Sequence, residues 1–207
     1  SIAIPCYEMA GRGAECLAYS LEKIALQSYA NIEVVVSDHS VDCEVENTCA
    51  DFHSKLNLIY IRNPKKRGQS SANHNSCIKY SSGEIIKFLC QDDYLFDDRA
   101  IEKIVPYFQS GANWLVSSYI HTKDRVNFER RQDPSFNKNI HFDNSIGTHS
   151  CLAVRNEALP YFDENLIWFM DCEYYRQLYN LWGLPVFLYD LTVVQFLWGG
   201  QVSNTLA

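Results

Sequence analysis

Phe88-Leu89-Cys90-Gln91-Asp92-Asp93-Tyr94-Leu95 closes an apolar run that begins at Glu84, and its reading decides the fold. From Glu84 to Leu89 the run has the length and composition of a buried strand, and it stops at two adjacent carboxylates. Two acids at the carboxyl end of a core strand repel each other and resist desolvation, so a compensating charge is expected. Mg2+ or Mn2+ carrying a diphosphate supplies one: hard carboxylate oxygens suit these ions, which keep further positions for phosphate oxygens. For a bare Asp-Asp pair the start of a solvated loop is the commoner outcome. The rest of the chain weighs against it.

Upstream, strand and helix signals alternate at short spacing. Strands are expected over 1–4, 32–37 and 58–61, and helices over 15–29, 42–53 and 70–80. Leu17, Leu21, Ile24 and Ala25 share one face of the first helix, and the Val/Ile-rich second strand suits burial on both faces of a parallel sheet. Asp97 and Asp98 cap a further helix over 99–109. Repeated βα units call for a Rossmann-like α/β fold, with a mostly parallel sheet flanked by helices and a ligand crevice at the carboxyl strand ends. The second half breaks this rhythm. Strands are expected over 114–121, 151–154, 186–188 and 191–197, with a helix over 171–182. The polar stretch 123–144 reads as a long, lid-like excursion.

Bulk properties bound the function. The 207 residues suffice for one well-filled domain, and 47% hydrophobic with 21% charged residues is a globular composition. A formal charge of −7 argues against a nucleic-acid binder, which carries a basic face. Lys65-Lys66-Arg67 is the one notable basic run; it reads as a solvated turn, with its place before Gly68 making it a candidate phosphate neighbour. No apolar stretch reaches membrane-spanning length and no signal peptide is evident. The chain opens inside a strand without a methionine, as a chain lacking a few native residues or a domain cut from a longer protein would. Eight cysteines form no Cys-x-x-Cys, and most lie in apolar runs, so a reduced, cytoplasmic protein is expected.

Pro5-Cys6-Tyr7 follows the first strand and Ser37-Asp38-His39-Ser40-Val41-Asp42 the second, on the same rim as the Asp pair. There, Tyr7 could stack on a nucleobase and the Asp38 carboxylate could accept a pyrimidine N3–H. Taken singly, Tyr7 would more often be packing and Asp38 a helix cap. Together with the acids they describe a nucleoside diphosphate held along one edge.

At this point the chain resembles family 2 glycosyltransferases of the GT-A fold. The resemblance rests on Ile4-Pro5-Cys6-Tyr7, on Leu26-Gln27-Ser28-Tyr29-Ala30-Asn31-Ile32-Glu33, on the segment from Ser37 to Asp42, and on the segment from Gly83 to Leu95. These motifs stand in order and at suitable distances, and the likeness runs from Ser1 to about Ser203. It implies a single domain over 1–207, with 1–110 binding a nucleotide sugar and a smaller acceptor-side region over 111–207. Metal-dependent, inverting transfer of a sugar to an acceptor hydroxyl is the implied reaction.

Carried over by position, Pro5, Tyr7 and Asp38 would meet the base, and Gly68, Asn73, Asn75 and Gln91 the ribose and diphosphate. Asp92 matches the second acid of the Asp-x-Asp metal motif and also contacts nucleotide; Asp93 joins it as a metal ligand, while Cys90 replaces the first acid. Trp198 stands where the family often has a His, before Gly199-Gly200-Gln201-Val202-Ser203.

The general base is assigned to Asp171, in Trp168-Phe169-Met170-Asp171-Cys172-Glu173, with Glu173 as second choice. On residue physics alone a helix N-cap serves equally well for Asp171. His149 and Trp198 are candidate donor or acceptor contacts. UDP-sugar is the favoured donor, with dTDP- and GDP-sugars as alternatives, and the acceptor is a surface glycan, lipid-linked sugar or glycoprotein. Two other readings stand beside this one. A non-catalytic nucleotide-sugar-binding module is suggested by Cys90 and Trp198. A sugar-nucleotidyltransferase is faintly suggested by Glu8-Met9-Ala10-Gly11-Arg12-Gly13.

Overall fold

The computed structural model describes residues 1–201. Val202 and Ser203, the end of the expected C-terminal motif, lie outside the described residues.

The first half follows the alternation written in the sequence. Strands β1 (Ile2–Cys6), β2 (Glu33–Asp38), β3 (Asn57–Arg62) and β4 (Ile85–Phe88) are joined through helices α1 (Gly13–Ala25), α2 (Glu44–Phe52) and α3 (Ser70–Tyr80). They pair in the order β3-β2-β1-β4, all parallel. Val34, Val35 and Val36 are fully buried, as a strand covered on both faces requires. Helix α1 turns Leu17, Leu21 and Ile24 into the core at helical spacing.

That helix ends at Ala25, four residues before the expected 29, because the following residues are bound elsewhere. Gln27 Nε2 donates to the Asp97 carbonyl at 2.6 Å, Gln27 Oε1 accepts from Ile101 N at 3.1 Å, and Ser28 N donates to the Asp98 carbonyl at 2.7 Å. Gln27 thereby satisfies a free amide at the start of α4 (Ala100–Gln109). Asp97 contributes less, accepting from Arg99 N at 3.1 Å.

The second half makes the sheet mixed, not purely parallel. Strands β5 (Tyr94–Leu95), β6 (Trp114–Thr122), β7 (Phe128–Gln132), β8 (Leu152–Arg155) and β9 (Val186–Phe196) extend it in the order β4-β8-β6-β9-β5, with β7 on β6. Only β6–β9 is parallel here; β4–β8, β6–β8, β5–β9 and β6–β7 are antiparallel. The sheet is mixed because few helices intervene after α4 to carry the chain back for parallel pairing.

The excursion over 123–144 contains β7, which the sequence concealed. All five β7 residues are exposed, so no apolar alternation marks the strand. An Asp124 turn aims it: Asp124 Oδ1 accepts from Val126 N at 2.9 Å and Asn127 N at 2.7 Å. The two late strands expected over 186–188 and 191–197 are one strand, β9, whose pairing with β6 shifts register at Ser118. Helix α5 (Met170–Trp182) follows the expected bounds within one residue.

Candidate active site

The carboxyl ends of β1, β2 and β4 open onto a cavity of about 650 Å³. The second half closes it with a 3-10 turn at His149–Cys151 and the N-terminus of α5. Pro5, Tyr7, Gly68, Asn73, Gln91, Asp92, His149, Asp171 and Trp198 all line this cavity.

The β4 acids do different work. The turn after Phe88 is fastened from both sides: Gln91 Oε1 accepts from Tyr7 N at 2.9 Å, and Gln91 Nε2 donates to the Gly13 carbonyl at 2.8 Å. Gly13 is needed for that approach, since a Cβ there would lie 2.2 Å from the Tyr7 carbonyl oxygen. Gly13 therefore packs the start of α1 against the site, while Gly11 supplies a left-handed turn with open space around it.

Asp92 lies on the cavity wall, where its Oδ2 accepts from Trp198 Nε1 at 2.9 Å. Asp93 points inward. Its Oδ1 accepts from Phe196 N at 3.1 Å, its Oδ2 pairs with Thr148 Oγ1 at 3.3 Å, and it is only 2% exposed. Desolvation, then the neighbouring Asp92 charge, pushes the Asp93 carboxyl well above the usual range; burial raises Asp92 more moderately. Burial thus disfavours charge on Asp93 more strongly than on Asp92. The expectation that Asp93 is a metal ligand is corrected here, because both its oxygens are turned into the fold.

Beneath the turn lies Lys87, fully buried, with Nζ donating to the Phe88 carbonyl at 3.0 Å and to the Ser150 carbonyl. Desolvation pulls its ammonium down to about 8. Cys90, in place of the first motif acid, sits 3.1 Å from His149 Nε2. Burial pushes its thiol well up and holds His149 down, so the contact joins a neutral thiol to a neutral imidazole. His74 packs edge-on against His149 at 4.5 Å and is likewise kept neutral by burial.

Among the described residues no group of three His, Cys, Asp or Glu side chains is arranged to hold a metal unaided. The chemistry of Asp92 nevertheless fits a hard divalent cation that draws its other ligands from diphosphate and water, as Mg2+ commonly does. A desolvated carboxylate on the cavity wall, with Arg12 as a nearby positive charge, is a side such a cation can bind.

Asp38 is also corrected. It is fully buried and off the cavity, with Oδ1 accepting from Ser40 N at 2.7 Å, Oδ2 accepting from Tyr60 Oη at 2.8 Å, and Arg62 at 3.3 Å. Its Oδ2 faces Tyr60 and Arg62 of β3 and its Oδ1 the Ser40 amide, which turns the carboxylate away from the cavity. The next residue, His39, lines the cavity instead. Asn75 faces the opposite side of α3, where it brackets the Phe162 backbone at 2.8 and 3.0 Å. Asn73 lines the cavity while tying β1 to β2 through the Cys6 carbonyl at 2.9 Å and Ser37 Oγ at 2.6 Å. Glu173 is paired with Arg176 at 2.6 Å and lies off the cavity, which removes it as the alternative base.

Asp171 stands on the cavity in the first turn of α5. Phe169 before it adopts a left-handed φ of 58°, a conformation that costs a non-glycine residue about 1 kcal/mol or more. Of the basic run Lys65-Lys66-Arg67, Arg67 reaches the cavity wall, where its Nε donates to the His39 carbonyl at 2.5 Å. Asn144 and Tyr119 line the cavity as well and were missed in the sequence.

A parallel βα half carrying the acid, continued by an antiparallel half that covers it, is the GT-A glycosyltransferase fold. The crystal structure of S. aureus TarS 1-349 matches with a TM-score of 0.74 at 19% identity, covering 94% of this chain and 59% of that one. The same protein in complex with UDP-GlcNAc matches at 0.70 and 18% identity, over 97% of this chain and 59% of that one. The mannosyltransferase PcManGT from Pyrobaculum calidifontis, in complex with GDP-Man and Mn2+, matches at 0.64 and 18%, over 94% and 55%. At these identities the likeness is one of fold, and the chain spans little more than half the length of these structures. The model of glycosyl transferase family 2 matches residues 1–153, and the chain belongs to that family. No curated protein sequence matches it.

Proposed function

We propose that this chain is an inverting glycosyltransferase that uses a nucleoside-diphosphate sugar, UDP-sugar first and GDP-sugar second, and a divalent cation. The observation that carries the reading is the convergence of Tyr7, Asp92 and Asp171, from three distant parts of the chain, on one cavity at the carboxyl strand ends. Tyr7, 41% exposed, offers a face for the base. Asp92 would hold Mg2+ or Mn2+, which when bound offsets charge on the diphosphate. Arg67 and Gly68 form the wall that fits the phosphates.

In this reaction Asp171 takes the proton of an acceptor hydroxyl as that oxygen bonds to the anomeric carbon. The bond from that carbon to the diphosphate oxygen breaks, and the nucleoside diphosphate departs with the electron pair. One displacement inverts the anomeric configuration. The UDP- and UDP-GlcNAc-bound S. aureus structures support a uridine donor, and the GDP-Man and Mn2+ complex supports a cation and keeps guanosine as second choice. The acceptor is a glycan, lipid-linked sugar or glycoprotein, as in polysaccharide assembly. Eight unbonded cysteines support a reducing, cytoplasmic setting. Among the described residues no helix is long and apolar enough to cross a membrane.

Asp171→Asn tests the reading. Transfer falls by about 10²–10⁴-fold, the share of a general base, while the Kd for UDP stays unchanged. A second reading, a module that binds the nucleotide sugar without transferring it, is favoured by the indole of Trp198 on Asp92 and by Cys90 in the motif. It predicts binding without turnover in the unmodified protein.

A further inference from the structure

We propose that Asn144 is a positioning residue that fixes the carboxylate plane of Asp171 toward the acceptor; this rests on the reading of Asp171 as the base. Asn144 Nδ2 donates to Asp171 Oδ2 at 3.0 Å and to the Gly147 carbonyl at 3.1 Å. Its Oδ1 accepts from Gly147 N at 2.7 Å. The other Asp171 oxygen, Oδ1, accepts from Cys172 N at 2.8 Å. The carboxylate is therefore gripped at both oxygens, once by its own helix and once from another segment.

The loop that delivers Asn144 is itself braced. Gly147 has a φ of 94°, and a Cβ there would lie 2.1 Å from Tyr119 Oη, so only glycine lets the loop sit against that buried ring. On the other side the Tyr175 hydroxyl, fully buried, donates to the Gly147 carbonyl at 3.3 Å. Two core tyrosines thus set the height of Gly147, Gly147 sets Asn144, and Asn144 sets Asp171. A base oriented by a third group is the arrangement that activated hydroxyl chemistry requires. One partly exposed hydrogen bond adds little stability, yet a misplacement near 1 Å at the reacting atoms lowers a rate by about 100-fold.

The amide makes three contacts, and substitution removes them unequally. Asn144→Asp keeps an oxygen to accept from Gly147 N, but gives up both Nδ2 contacts and sets an oxygen against Asp171 and the Gly147 carbonyl. Asn144→Ala removes all three. Steady-state UDP release from UDP-sugars with acceptor, and UDP binding by calorimetry, are measured on both variants beside Asp171→Asn. The expected result is a kcat lowered about 100-fold in both Asn144 variants, with donor KM and UDP Kd unchanged. An Asn144→Asp protein that turns over like the unmodified one, whatever Asn144→Ala does, assigns Asn144 to loop folding alone and overturns the inference. Full turnover in Asp171→Asn removes the base itself, a failure distinct from that of Asn144.

Discussion

Replacing Gly147 by alanine should damage both the fold and the site, and the size of the damage follows from the structure. The added Cβ would stand 2.1 Å from Tyr119 Oη, 2.8 Å from Cζ and 2.9 Å from Cε1. Tyr119 is only 5% exposed, so its ring has nowhere to retreat without disturbing β6. Forcing extra volume into packed surroundings costs about 1–3 kcal/mol. An alanine at a φ of 94° adds about 1–2 kcal/mol of backbone strain. The sum, about 2–5 kcal/mol, lowers the Tm of a domain this size by roughly 5–15 °C. Differential scanning calorimetry reads that shift, and UDP release at a temperature where the variant is folded reads the site. Turnover should fall with the stability, because Asn144 follows Gly147. A Tm within about 1 °C of the unmodified protein, with full turnover, would refute the claim that Tyr119 sets this loop.

Asp93→Asn should flatten part of the pH dependence of stability. Its folded carboxyl titrates above the unfolded value, so its contribution is fully present below about pH 4 and declines as pH rises toward the folded value, by up to about 1.4 kcal/mol per pH unit. Urea unfolding at pH 5 and 7 should therefore show a smaller loss in the variant; an identical loss would mean Asp93 is ionised in the fold. Asp38→Asn should lower stability by about 3 kcal/mol, the cost of breaking a buried charged network, with no change in the preference for UDP over GDP. A changed base preference at undiminished stability would return Asp38 to the nucleotide site.

The strands of the first half were legible because burial on both faces writes them as continuous apolar runs, and the Asp pair was legible because it ends one. Strand β7 was not, since an exposed edge strand with no apolar face leaves no periodic trace. Position along the chain located the rim of the site, but not which way each side chain turns on it. Asp92 and Asp93 are neighbours in sequence and face opposite ways, one to the cavity and one to Phe196 N and Thr148. Asp38 was placed on the correct strand end and is nevertheless turned to Tyr60 and Arg62, partners supplied by β3. Asn144 left only a turn-like Asn before Gly147 inside a polar stretch, and its contact with Asp171 spans two segments that no local pattern connects.

Calorimetric titration of the protein with UDP, with and without Mn2+, repeated on Asp92→Asn, tests the central claim most directly. The account predicts binding that strengthens sharply with Mn2+ in the unmodified protein and loses that gain in the variant. Equal UDP binding in all four conditions would contradict a cation held by Asp92, and no UDP binding in any of them would contradict the nucleotide site itself.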